Sequence, residues 1–281
     1  MATLTTRIME GGERAPFLLD ERGLPLFYPT LFATVHLRNA KRAVNTIRNR
    51  LADILVLHRW EADNGRDLVS EFSEGRFLEM PDIISLRDFA KLDMREHKTQ
   101  KTKRKAKTVR LIEGDVGRNI QSAVVSGEHQ FARMTTFADY LKFVALVLTQ
   151  HRNSARDAKA IDRMSNLIKQ NRPKGLGRHE DDDPHGKSPP TEVVDKLIGI
   201  VDVNDPDNPF LDPGVRLRNA IIFGLLNVTG MRRGELLSLR IDQLDFGDEP
   251  SVWVRRNQDD PVDPRTNQPA TKTKERPLPL T

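Results

Sequence analysis

The stretch TGMRRGELLSLRIDQLDF, Thr229 to Phe246, decides how the rest of the chain is read. Gly230 breaks the apolar helix before it, because glycine readily takes the left-handed backbone on which helices end. Beyond it, Leu236 and Leu239 recur at a spacing that keeps one side of a second helix inward. Arg232 is not explained by packing. On this spacing it falls in the first turn of that second helix, where a cation opposes the helix dipole unless an anion occupies the position. Phosphate is the anion a guanidinium suits best, because its paired N–H donors match paired oxygens. Upstream, Leu217, Ala220, Ile221, Gly224, Leu225 and Val228 give a helix that reads as strongly buried and runs directly into the arginine.

Composition narrows the setting. The chain has 281 residues, enough for two modest cores, with 37% hydrophobic and 30% charged residues and few aromatics. That balance predicts a largely helical protein, and with the chain's strand-like segments the fold expected is mainly α with a small β-hairpin region. No apolar run reaches membrane-spanning length, and the start MATLTTRIMEGGER lacks the apolar core of a secretory signal, so a cytoplasmic protein is expected. The absence of cysteine excludes disulfides, thiolate metal sites and cysteine nucleophiles. A net charge of +5 favours an anionic partner, and the distribution of charge says more than its total. Lys98, Lys101, Lys103, Arg104, Lys105, Lys107 and Arg110 form a basic run without an acid between them. It reads either as a solvated linker or as a set of phosphate contacts whose counterion release would make binding salt-sensitive.

Periodicity sets out the organisation. Ala15–Asp20 and Leu24–Phe27 flank the turn residues 20–23 and suggest a hairpin. Val44, Ile47, Leu51, Ile54, Leu55 and His58 repeat at helical spacing, and Asn64-Gly65 ends that helix, with Trp60 read as core. A short helix over Pro81–Leu92 presents Ile84, Phe89 and Leu92. Phe137, Tyr140, Leu141, Val144 and Leu148 form another stripe with Thr135-Thr136 as its N-cap, and Ala158, Ile161, Met164, Leu167 and Ile168 continue the pattern. Residues 172–190, rich in Pro, Gly and charge, read as a linker between an N-terminal helical region, 1–171, and a second domain, 191–281. His179, Asp181, Asp182, Asp183 and His185 lie in that linker, where nothing fixes a coordination geometry, so no metal site is assigned. No solenoid-length repeat and no phosphate-binding glycine loop with a Lys-Ser or Lys-Thr ending is present, which argues against nucleotide hydrolysis.

Downstream, Ser251–Arg256 alternates like a strand and is followed by KTKERPLPL, Lys272 to Leu280. Together with Thr229, Gly230, Arg232, Glu235, Leu236, Leu239, Asp242 and Asp245, this resembles the tyrosine recombinases, or phage integrases. Their first arginine box reads Thr-Gly-x-Arg-x-x-Glu-Leu and is followed by a lysine-bearing β-hairpin. Two such boxes in order are far more specific than either alone. The resemblance covers an N-terminal part and an early catalytic part of that family. It implies a helical core-binding domain that clamps duplex DNA, a partial α+β catalytic domain, other recombinase protomers on the DNA as partners, and no cofactor. Arg232 would contact the scissile phosphate and Glu235 would fix a catalytic arginine. Lys272, with Lys274 as runner-up, would donate a proton to the leaving oxygen once its environment lowered its pKa from the ordinary ~10.4. Arg233 reads as a surface or backbone contact.

The family's later His-x-x-Arg box and nucleophilic tyrosine have no match here. Tyr28 and Tyr140 both precede the first arginine box, and Tyr140 reads as a core residue. The expected function is therefore the DNA-binding portion of a phage or mobile-element integrase of DNA recombination, catalytically incomplete in this form. The alternative is a stand-alone DNA-binding protein or remnant that occupies recombination sites without catalysis. A third reading is a helical scaffold whose basic run meets RNA or an acidic protein.

Overall fold

The computed structural model describes residues 2–40, 42–94, 124–152, 154–174, 189–256, 259–269, 271 and 274–280. The basic run 98–110, most of the linker with its histidines and aspartates, and Lys272 lie outside the described residues. The protein is mainly helical with small antiparallel sheets. The chain divides into two compact units, one of Met1–Thr6 and Pro16–Gly177 and a second of Arg7–Ala15 and Arg178–Thr281.

At the N-terminus, strands β1 (Thr3–Ile8) and β2 (Arg14–Leu19) form a two-stranded sheet closed by a turn in which the Met9 N–H donates to the Glu13 carbonyl. The tip of this hairpin, Arg7–Ala15, belongs to the second unit. The hairpin expected around residues 20–23 is present in a short form beside this sheet. The Asp20 carboxylate accepts the N–H groups of Arg22 and Leu24, the Asp20 N–H donates to the Leu24 carbonyl and the Leu26 N–H to the Leu18 carbonyl, both at 2.8 Å, and Leu19 bridges Pro25, although residues 24–27 form no full strand.

The helices of the first unit begin with α1 (Phe27–Phe32), which continues into a π-helical turn, Ala33–Arg38. Helix α2 (Val44–Asn64) ends as the glycine signal requires, with Gly65 at φ 61°. Helices α3 (Leu68–Ser73), α4 (Met80–Ala90), α5 (Gly127–Thr149) and α6 (Ala155–Gln170) complete the unit. One continuous core joins them. Leu51, Ile54, Leu57, Trp60, Phe72, Ile83, Leu86, Phe137, Leu141, Ile161 and Ile168 are essentially sealed from water. Trp60 buries its ring and donates its indole N–H to the Ser85 hydroxyl at 3.1 Å, which satisfies its polar edge. Tyr140 packs edge-on against Phe32 at 5.5 Å, and burial pushes its hydroxyl pKa up, as befits a core residue.

Two helical expectations are corrected. In α4 the inward residues are Ile83, Leu86 and Ala90, while Ile84 is exposed. Helix α5 starts about two turns before Thr135-Thr136: Ser126 caps it by accepting the His129 N–H, and Thr136 lies in the buried interior. There its hydroxyl donates to the Asp53 carboxylate at 2.7 Å and lies 3.0 Å from the Ala132 carbonyl, one turn back. A threonine pair can look like a cap when it is an interior polar contact.

The second unit holds helices α7 (Thr191–Ile200), α8 (Pro213–Thr229) and α9 (Arg233–Leu237), a 3-10 turn at Ile241–Gln243, and a three-stranded antiparallel sheet. That sheet has the order β3 (Leu244–Asp245), β4 (Ser251–Val254), β5 (Arg276–Pro279). Asp212 caps α8 by accepting the Val215 N–H at 2.8 Å, and Gly230 ends it at φ 60°. The expectation that α8 is strongly buried does not hold. Only Asn219 is buried, while Leu217, Ile221 and Val228 are exposed, because within this unit the helix packs chiefly on α7 and on short α9. No helix among the described residues is long and apolar enough to cross a membrane.

A candidate phosphate-binding arginine cluster

Helix α9 has five residues, and Arg232 is its N-cap in extended backbone rather than a member of its first turn. The side chain therefore stands outside the helix, and the inward residues around it are Met231, Glu235 and Ser238, with Leu236 and Leu239 half-buried and Leu237 exposed. So short a helix has little dipole, which removes the electrostatic argument drawn from the sequence. A carboxylate takes its place in organising the cations.

Glu235 is one turn into α9, and its side chain is 1% exposed. Its Oε2 accepts the backbone N–H of Arg232 at 2.9 Å, the half of a capping box that fixes where the helix begins. The same carboxylate accepts both ends of the Arg276 guanidinium, Nη1 on Oε1 at 3.2 Å and Nη2 on Oε2 at 3.1 Å. Arg276 reaches it because β5 pairs Arg276 directly with Val254 of β4, and Val254 is buried, so both side chains leave the sheet on its inner face. The Arg232 Nη1 lies 3.7 Å from Glu235 Oε1, yet 63% of its side chain is exposed. Two guanidinium groups thus share one buried carboxylate. The cluster keeps an excess positive charge, and Arg232 turns it toward solvent.

Neighbouring groups tie the strand and its approach to α9. The Ser238 hydroxyl donates to the Glu235 carbonyl at 3.0 Å and lies 3.3 Å from the Thr271 hydroxyl, which itself donates to the Arg255 carbonyl at 3.1 Å. Thr271 is buried, so the residue just before Lys272 is held at the end of α9. Lys274 is exposed, and next to it Glu275 accepts the Arg256 N–H at 3.2 Å. Arg233 is exposed on α9. Arg255 lies over the Trp253 ring at 5.7 Å, on the opposite face of β4 from Val252 and Val254. Among the residues that the sequence singles out, the structure brings Arg232 and Glu235 together.

Two groups of cations escape a reading of the sequence. Arg276 is visible there only as part of a terminal motif, because its partner lies 41 positions away and nothing local announces it. In the first unit, Arg156, Lys159 and Arg163 follow one another along the exposed side of α6 and border an open groove with Arg76 and Arg152. Arg76 is paired with Glu74 and Arg152 with Asp157, whereas the three on α6 form no ion pair among the described residues. Their i, i+3, i+7 spacing is the available signal, overshadowed by the denser run at 98–110. Among the described residues, no group of three or more His, Asp or Glu side chains is placed to hold a metal.

No protein-family model, no curated protein and no solved structure matches this chain.

Proposed function

We propose that these residues form the DNA-binding portion of a site-specific tyrosine recombinase, with Arg232 and Arg276 gripping a backbone phosphate and neither Tyr28 nor Tyr140 serving as the nucleophile. The observation that carries this reading is the sharing of one buried carboxylate by two guanidinium groups. Glu235 leaves Arg276 immobilised and Arg232 restrained at its root but open at its tip. Such pre-organised donors lose little freedom when they bind a tetrahedral anion, and they gain most where charge accumulates on its oxygens. The order of the elements is a second support, since an apolar helix, an arginine turn, a strand and a returning strand follow in the sequence of the resembled family.

The α6 cations, which have no ion pair among the described residues, would supply sequence-independent backbone contacts in the first unit. Spaced over roughly 10 Å of helix, they match about three phosphates of one strand. Lys98, Lys101, Lys103, Arg104, Lys105 and Lys107 are assigned the same task, and Lys272 the protonation of a leaving oxygen, both on the strength of the sequence.

The test is duplex binding by fluorescence anisotropy together with adduct formation on a nicked substrate. Glu235→Gln should weaken duplex binding about tenfold, because it frees both guanidinium groups, while the fold of the first unit persists. No covalent adduct should form with the chain as it stands. Unchanged affinity in a folded Glu235→Gln variant would remove the site from the account, and an adduct mapped to Tyr28 or Tyr140 would overturn the claim of incomplete chemistry.

A further inference from the structure

Arg14 is 2% exposed, yet its guanidinium faces no carboxylate of the described residues at hydrogen-bonding distance. It donates instead to four main-chain carbonyls: Gly12 at 2.5 Å, Asp260 at 2.7 Å, Arg265 at 3.2 Å, and Asp263. Three of the four belong to the loop that leaves β4 and returns to β5. The tip of the N-terminal hairpin is also interlocked with that loop by shape. Gly12 has φ +82°, and a Cβ there would sit 2.1 Å from the Asp259 carbonyl oxygen and 2.7 Å from the Pro261 nitrogen, so only glycine permits the approach. Asp259 answers with a left-handed backbone of its own, φ 57°.

The loop passes this restraint on. Arg265 donates to the Leu237 carbonyl at 3.1 Å, at the last residue of α9, and Asp260 pairs at 3.1 Å with Arg240, three residues beyond it at the start of the 3-10 turn. Arg265 also grips the Asp263 carboxylate through its side-chain N–H groups, which holds that carboxyl down at about 2 and keeps it ionised beside Arg14. A buried guanidinium whose donors end on carbonyls of a distant loop is costly to desolvate, and its hydrogen bonds hold that loop in one arrangement.

We infer that Arg14 is a positioning residue for the arginine cluster: from the tip of the N-terminal hairpin it braces the loop 259–265, and through Arg265 and Asp260 it fixes the helix at whose start Arg232 stands. The brace itself is independent of what the cluster binds, whereas its consequence for DNA rests on the proposed phosphate contact. Residues 7–15 thereby become part of the site's machinery although they lie more than two hundred positions upstream of it.

The experiment uses the full chain, with hydrogen exchange as the first readout. Arg14→Met should raise exchange on the order of tenfold in 259–268 and in 231–240, and leave α5 and α6 unchanged. Gly12→Ala, which keeps the arginine but blocks the approach, should give the same pattern. Arg14→Lys should restore only part of the protection, because an ammonium cannot fan its donors to four carbonyls. Protected 231–240 in both folded variants would overturn the inference. A second readout is a double-mutant cycle in affinity for a short DNA duplex. If Arg14 acts through the cluster, adding Arg14→Met to Arg232→Ala should cost no further affinity, whereas independent, additive losses would reduce Arg14 to a general stabiliser. Faster exchange without any effect of Arg232→Ala on DNA would leave the brace standing and remove only the phosphate reading.

Discussion

The two units treat their apolar helices differently. In the first, α2, α4, α5 and α6 turn their stripes onto one another and a single sealed core results. In the second, the buried apolar side chains among the described residues are Val201, Met231, Val252 and Val254, and α8 leaves Leu217, Ile221 and Val228 in solvent. Both α2 and α8 carry apolar stripes in sequence, so the contrast teaches that a stripe specifies a need for cover while other elements decide whether it is met. The second unit is held instead by polar devices: the Glu235 carboxylate, the Arg14 fan of carbonyls, and the capping side chain of Asp212.

The largest expected effect tests that contrast directly. Trp60→Ala should cost about 3–5 kcal/mol by chemical denaturation, as emptying a sealed aromatic site does, whereas Ile221→Ala on α8 should change stability by less than about 0.5 kcal/mol. An Ile221→Ala loss of several kcal/mol would mean that the face is covered in solution and the comparison is false.

Next in size is a pH effect confined to the first unit. Burial raises the Asp53 carboxyl from 3.8 to about 6, against the opposing pull of the Thr136 hydroxyl and of Arg133 and Arg50. The folded state then binds the proton more tightly than the unfolded chain. This group's contribution, about 3 kcal/mol, is fully present below about pH 4 and is lost as pH rises through about 6. Denaturation curves between pH 4 and 7 should show that decline in the wild type and a flatter profile in Asp53→Asn.

The smallest effect sharpens the comparison at helix starts. Ser126→Ala and Asp212→Ala each remove one capping acceptor, at a cost of about 1 kcal/mol. The first should destabilise the whole core with which α5 unfolds. The second should appear as local fraying, read as faster exchange in the first turn of α8 with no shift of the main unfolding transition.

Legibility in the sequence divides along the same line. The glycine stops at Gly65 and Gly230 and the inward faces of α2 and α6 follow from backbone freedom and helical period, both local properties. The start of α5 is hidden because Thr136 turns its hydroxyl inside the core, onto Asp53, and that partner lies 83 positions away. Strand β1 is hidden because Thr3–Ile8 is threonine-rich and lightly buried, giving no apolar alternation to read. In the site, Arg232 and Glu235 are one turn apart and can be seen together, whereas Arg276 and Arg14 are defined by partners brought in by tertiary folding. A buried arginine that bonds only main-chain carbonyls leaves no trace in its own neighbours.

The central claim is that Arg232 and Arg276, organised on Glu235, hold a backbone phosphate. It is tested most directly by the salt dependence of duplex DNA binding, measured for the wild type and for the paired substitution Arg232→Ala with Arg276→Ala. Each phosphate contact contributes about 0.9 to the slope of log K against log salt concentration. The account predicts that the paired substitution flattens the slope by about 1 to 2 and weakens binding most at low salt, with the first unit's unfolding transition unchanged. An identical slope and affinity in the two proteins would contradict it.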